Sequence, residues 1–164
     1  MVFEEYSMKN VLVVVFLLIG FSSSAFAGLS KSDGVVTDSV SSLEWQDDYT
    51  DNSGSVKQSN WVDAIAYCEN LTLNLQSDWR LPNRNELLSI ADFSTYSYAI
   101  SSVFENLGDT SIGAEDYVSA NYWSSTADPV DNLIWVVNFY DGLSAVSLSQ
   151  DSPSPYVRCV RAGQ

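Results

Sequence analysis

Asp47, Asp48, Asp51 and Asn52 put four side-chain oxygen donors within six residues, and Ser53-Gly54 follows them. Carboxylates and amides clustered on a turn are the ligand type of Ca²⁺, which takes roughly six to eight hard oxygens. The spacing is not that of an EF-hand loop, because counting back from Gly54 places Tyr49 at the first ligand position. The competing reading is a solvated acidic loop. Asp109, Glu115 and Asp116 form a second acidic group open to the same two readings. Tyr96, Tyr98 and Tyr117 fall in a long mixed segment, 92–121, and offer rings on which a sugar could stack. Arg80 and Arg84 bracket a Leu-Pro step. A planar guanidinium there either meets a ligand carboxylate or sulfate, or holds an acid of the chain itself, Asp78 or Glu86.

The chain contains no histidine. That removes a His-based triad, any His-containing zinc or copper site, and the general base most often met in hydrolases. Acids are plentiful enough for paired-carboxylate glycoside hydrolysis, but no spacing singles out a pair. Ser124-Ser125 has neither a base nor the glycines of a nucleophile elbow around it. These absences point to a non-catalytic protein that needs no cofactor, calcium being the one ion its loops would suit.

The elements that must position these residues begin after residue 27. Met8-Lys9-Asn10, the apolar run Val11 to Phe21 and the ending Ala25-Phe26-Ala27 form the pattern of an export signal cleaved after Ala27. A run of 11 residues falls well short of the ~20 that cross a bilayer; an uncleaved anchor is the alternative. The acidic leader MVFEEYS suits a signal head badly, so Met8 is the expected initiator. Residues 28–164 then form one domain, exported to the periplasm, the cell surface or the medium, with no membrane span. The whole chain carries 21 acidic and 7 basic residues, a net charge of −14. Such a surface repels phosphate backbones, anionic lipid and sulfated polysaccharide, and leaves neutral ligands and divalent cations open.

Cys68 and Cys159 are the only cysteines. In an exported protein two thiols most often form one disulfide, and two free buried thiols are the alternative. Along the chain, 34–46 reads as a hairpin and 47–58 as a surface loop. Trp61, Ile65, Cys68 and Leu71 share one face of a helix capped by Ser59 or Asn60. Pro82 disfavours helix at Leu81, and Asn83-x-x-Glu86 is a capping-box start for a second helix. The run DWRLP is therefore extended, with Trp79 and Leu81 facing the core and Arg80 the other way. The segment 92–121 reads as irregular loop with one helical turn. Strands follow at 122–126, 133–140 and 143–148, the last two joined through Asp141-Gly142. A final strand covers 156–161, apolar on Val157 and Cys159. The fold class is α+β.

Six segments in order resemble one family: VVTDSVSSLEWQDD (35–48), WVDAIAYCENL (61–71), DWRLPNRNELLSI (78–90), YWSSTA (122–127), WVVNFYDG (135–142) and YVRCVRAG (156–163). Together they resemble the C-terminal domain of the Legionella collagen-like protein, a domain of unknown function. The R-L-P helix start and the R-x-V-R strand are also similar to formylglycine-generating-enzyme-like domains. The resemblance implies a C-type-lectin-like α+β fold, two helices packed on antiparallel strands and hairpins with long loops. It implies a Cys68–Cys159 disulfide between the first helix and the last strand. It makes Trp79, Arg80, Leu81, Pro82, Trp123, Arg158 and Arg161 a structural signature, which favours the structural role for Arg80. Trp45, Trp61, Trp79, Trp123 and Trp135 all fall in matching segments, so most of them are expected in the core. The family's named member is an adhesin for sulfated glycosaminoglycans, but this chain has no collagen-like region and the wrong charge sign for sulfates, so that ligand is not carried over. Neither is the copper-site cysteine chemistry of the formylglycine enzymes. The expected function is non-catalytic binding of carbohydrate or another envelope component. The alternative is a structural or assembly subunit acting through a protein partner or as a homo-oligomer.

Overall fold

The structure is a computed structural model, and it describes residues 28–95, 98–108, 120–129, 133–149, 151 and 155–163. The signal-like segment 1–27 lies outside them.

Strands β1 (Leu29–Ser32), β2 (Val35–Asp38) and β3 (Leu43–Gln46) form an antiparallel meander. The final strand, β7 (Val160–Ala162), adds to β3. The hairpin expected over 34–46 is β2–β3, and β1 extends it beyond the sequence reading. Its turn carries Asp33 and Gly34 at φ 49° and 75°. Two successive left-handed residues are what a two-residue hairpin turn needs, and Asp-Gly is a favoured pair for it. A Cβ on Gly34 would also come within 2.4 Å of Asp48 Cβ. The turn therefore fixes glycine both by backbone and by space.

Helix α1 (Trp61–Asn70) starts where Asn60 Oδ1 accepts the Asp63 N–H, and it buries Ala64 and Cys68. Helix α2 (Arg84–Ser89) opens with the full capping box: the Glu86 N–H donates to Asn83 Oδ1 at 2.9 Å, and the Asn83 N–H donates to Glu86 Oε2 at 2.8 Å. Both starts follow the sequence reading. Strands β4 (Asn121–Ala127), β5 (Ile134–Asn138) and β6 (Ser144–Leu148) make a second antiparallel sheet in that order. Gly142, at φ 75°, serves the β5–β6 connection.

The second sheet separates two apolar clusters. On one side Tyr122, Val137 and Phe139 meet Leu87 of α2, Ile90 at its C-terminal cap and Trp45 from β3. On the other, Trp123, Ile134 and Val136 meet Ala64 and Cys68 of α1 with Trp79, Leu81 and Cys159. The fold is thus α+β, two helices with antiparallel sheets.

The terminal segment differs from the single strand expected over 156–161, because it crosses from one sheet to the other. The Tyr156 N–H donates to the Asn121 carbonyl at 2.8 Å, and the Trp123 N–H to the Tyr156 carbonyl at 3.0 Å. Three residues on, the Gln46 N–H donates to the Cys159 carbonyl at 2.9 Å, and Val160 exchanges two 2.9 Å bonds with Arg80. Regular strand therefore begins only at Val160. Every residue from Tyr156 to Arg161 is buried, the two arginines included.

Candidate functional site

The four residues read as a calcium cluster do not converge. Asp47 points inward, 1% exposed. Its carboxylate accepts from Lys31 Nζ (2.6 Å), Arg158 NH1 (2.9 Å) and the backbone N–H groups of Glu105 (2.9 Å) and Asn106 (3.1 Å). Asp48 Oδ1 accepts the Thr50 N–H, Asp51 Oδ1 accepts the Tyr67 hydroxyl, and Asn52 Nδ2 donates to the Ser55 carbonyl. Burial, with Asp51 adding, raises the Tyr67 hydroxyl well above the ordinary tyrosine pKa, so it stays a donor. Asp48 and Asn52 brace their own loop, Asp51 ties it to α1, and Asp47 faces the interior. Among the described residues no group of three or more acidic or cysteine side chains could hold a metal ion.

Of the three tyrosines, Tyr98 alone is described. It sits at φ 68°, its ring edge-on to Tyr140 with centroids 6.2 Å apart. The adjoining cavity, between Tyr98, Tyr122 and Phe139, measures about 20 Å³, space for little more than one water. Tyr96, Tyr117, Asp109, Glu115 and Asp116 lie outside the described residues.

The signature residues are structural in their contacts. Cys68 and Cys159 form a disulfide. Trp79, Leu81 and Trp123 are buried, and the Pro82 carbonyl accepts the Ser125 N–H at 2.7 Å. Arg158 is fully buried and ringed by Tyr49, Phe104 and Tyr122. Besides Asp47 it donates to the carbonyls of Gln46 and Asn106. Arg161 donates to Glu44 and Asp78.

Arg80 clamps Glu86 with both arms of its fork, at 2.8 and 2.6 Å. The Arg80 fork, joined by the Asn83 N–H, holds the Glu86 carboxyl below the usual glutamate range against the opposing effect of burial; Arg161 does the same for Asp78. A depressed folded-state pKa contributes stability that is present above the unfolded value, about 4.3 for Glu, and is lost as pH falls through the folded value. The expected result is a urea midpoint that drops on acidification below about pH 4.5, with a shallower drop in Glu86→Gln. At neutral pH, Arg80→Ala is expected to cost about 0.5–1 kcal/mol, as befits a half-exposed but bidentate pair. Equal midpoints for Arg80→Ala and the parent protein would contradict this.

Arg84 behaves differently from the other arginines. Its backbone N–H donates to Thr126 Oγ1 at 3.1 Å, and its guanidinium lies 4.4 Å over the Trp135 ring. Among the described residues it is the one arginine without a carboxylate partner. It lines a groove of about 570 Å³ between α2 and the β4–β5 edge, with Asn83, Asn85, Ser89, Thr126 and Trp135. Most of the five tryptophans are core residues, as expected, and Trp135 is not one of them. Trp45, Trp79 and Trp123 are buried, whereas Trp61 and Trp135 are half-buried. Trp135 shares its sheet face with Val137, but it stands beyond the end of the apolar cluster, under the polar first turn of α2. The strand alternation already set it opposite Ile134 and Val136; what no local pattern could supply is that Arg84 lies over it.

Fold and groove together define a disulfide-linked α+β domain that carries a mixed aromatic and polar groove. The chain belongs to the Lcl C-terminal domain family, whose model matches residues 34–161. No curated protein matches it.

Proposed function

We propose that this chain is an exported, non-catalytic binding domain whose ligand is a carbohydrate or another component of the cell envelope. The observation that carries the reading is the groove beside Arg84. A half-buried indole lies next to amides and hydroxyls, which is the mixture of apolar surface and placed polar groups that sugar rings require. The C-type-lectin-like arrangement belongs to this proposal, as do placement in the periplasm, at the cell surface or in the medium and the absence of an obligate cofactor. In its favour over catalysis, the two described carboxyls with a displaced pKa, Asp78 and Glu86, both move down. A general acid at neutral pH needs the opposite.

A second reading, self-association as an assembly subunit, has one feature behind it. Phe93 and Leu143 are exposed, and the Phe93 ring lies against Gly142, the neighbour of Leu143.

The test is binding of the purified protein to an array of neutral and acidic glycans, once in calcium and once in a chelator. The expected outcome is a hit indifferent to the chelator and lost in Trp135→Ala, with the thermal melt of the variant checked alongside. A calcium-dependent hit would move the site to the acidic loops. Silence under both conditions would overturn the carbohydrate reading and favour self-association.

A further inference from the structure

We infer that the Arg84–Trp135 groove selects a sugar bearing a single carboxylate within an otherwise neutral oligosaccharide. This rests on the reading of the groove as a carbohydrate site. Each of the other arginines is neutralised inside the fold: Arg80 by Glu86, Arg158 by Asp47, Arg161 by Glu44 and Asp78. In a chain with three times as many acids as bases, an arginine that pairs with no acid among the described residues and lines a groove is a donor available to a ligand. Its position is preorganised, because the ring of Trp135 lies under the guanidinium and the backbone N–H is tied to Thr126. The acid that lines the groove, Glu86, is engaged elsewhere: its two oxygens are already taken by the Arg80 fork and the Asn83 N–H.

A guanidinium fork matches a carboxylate in plane and charge. Asn83 and Asn85 stand beside it on the groove wall, where side-chain amides would meet ring hydroxyls. The net charge of −14 sets the other half of the selectivity. A polyanion would be repelled as a whole, whereas one isolated carboxylate meets Arg84 at close range.

The experiment is calorimetric titration of the purified protein with three probes: a neutral oligosaccharide capped by one glucuronic acid, the same compound after carboxyl reduction, and a polyuronate. The capped probe should bind best, and Arg84→Gln should weaken it roughly tenfold to a hundredfold, the usual effect of losing a charge-assisted hydrogen bond. Arg84→Gln should weaken the reduced probe far less than the capped one, and Arg84→Lys should recover only part of the loss. Equal affinity for the capped and reduced probes, or a preference for the polyuronate, would overturn the inference while leaving a carbohydrate site in place. No binding of any probe would overturn both.

Discussion

Replacing Asp47 with asparagine is expected to remove about 3–5 kcal/mol of stability, the cost of leaving one partner of a buried ion pair without its counter-charge. Arg158 is 0% exposed and cannot move to water without unpacking Tyr49, Phe104 and Tyr122. An asparagine would keep the shape but not the charge, and its amide would present donors where Lys31, Arg158 and two backbone N–H groups already point donors inward. Urea unfolding monitored by tryptophan fluorescence measures the effect. Since domains of ordinary stability hold only about 5–15 kcal/mol in all, Asp47→Asn should be partly unfolded at 37 °C. The double variant Asp47→Asn/Arg158→Met should be more stable than Asp47→Asn alone, because it removes the stranded charge as well. A single variant within about 1 kcal/mol of the parent, the size of an exposed pair, would show that Asp47 is not the anchor described.

The second large effect is expected at the disulfide. Cys68 and Cys159 are 91 residues apart, and a loop of that size corresponds to roughly 4–5 kcal/mol of restricted unfolded-chain entropy. The paired substitution Cys68→Ala/Cys159→Ala should therefore cost about 2–5 kcal/mol, the usual range for a native bridge. Both sulfurs lie inside the cluster of Trp79, Leu81 and Trp123, so lost packing adds to the lost constraint. Dithiothreitol should lower the melting temperature of the parent protein and leave that of the double alanine variant unmoved. Equal sensitivity of the two would mean that the bridge does not carry the stability.

The parts legible in the sequence were those encoded within a few residues. Asn60 and Asn83 announce helix starts through donors three positions ahead, and Asp141-Gly142 announces a turn through backbone freedom alone. The first strand was missed although Asp33-Gly34 carried the same kind of signal, because its flanks, Leu29-Ser30-Lys31-Ser32, hold too little apolar surface to stand out. Asp47 could not be separated from Asp48 and Asp51 by any local rule. What distinguishes it is Arg158, 111 residues away, and a run of acids looks alike until one of them is turned inward. The Arg84–Trp135 pair is hidden for the same reason. The tyrosines of the long loop drew notice as exposed aromatics, whereas the described ring among them, Tyr98, leans on Tyr140 over a cavity too small for a sugar.

One consequence of the crossing segment concerns the order of events during synthesis. Residues 156–161 join the two sheets, close the disulfide and supply the arginine that neutralises Asp47. Until they arrive, β3 lacks a neighbour on one side and Asp47 has Lys31 but not the buried Arg158 as counter-charge. The two sheets can each pair their own strands beforehand, but the join between them and the disulfide both wait on these residues. The Cys68–Cys159 bridge also keeps this segment covalently attached to α1 should the chain be cut ahead of Tyr156.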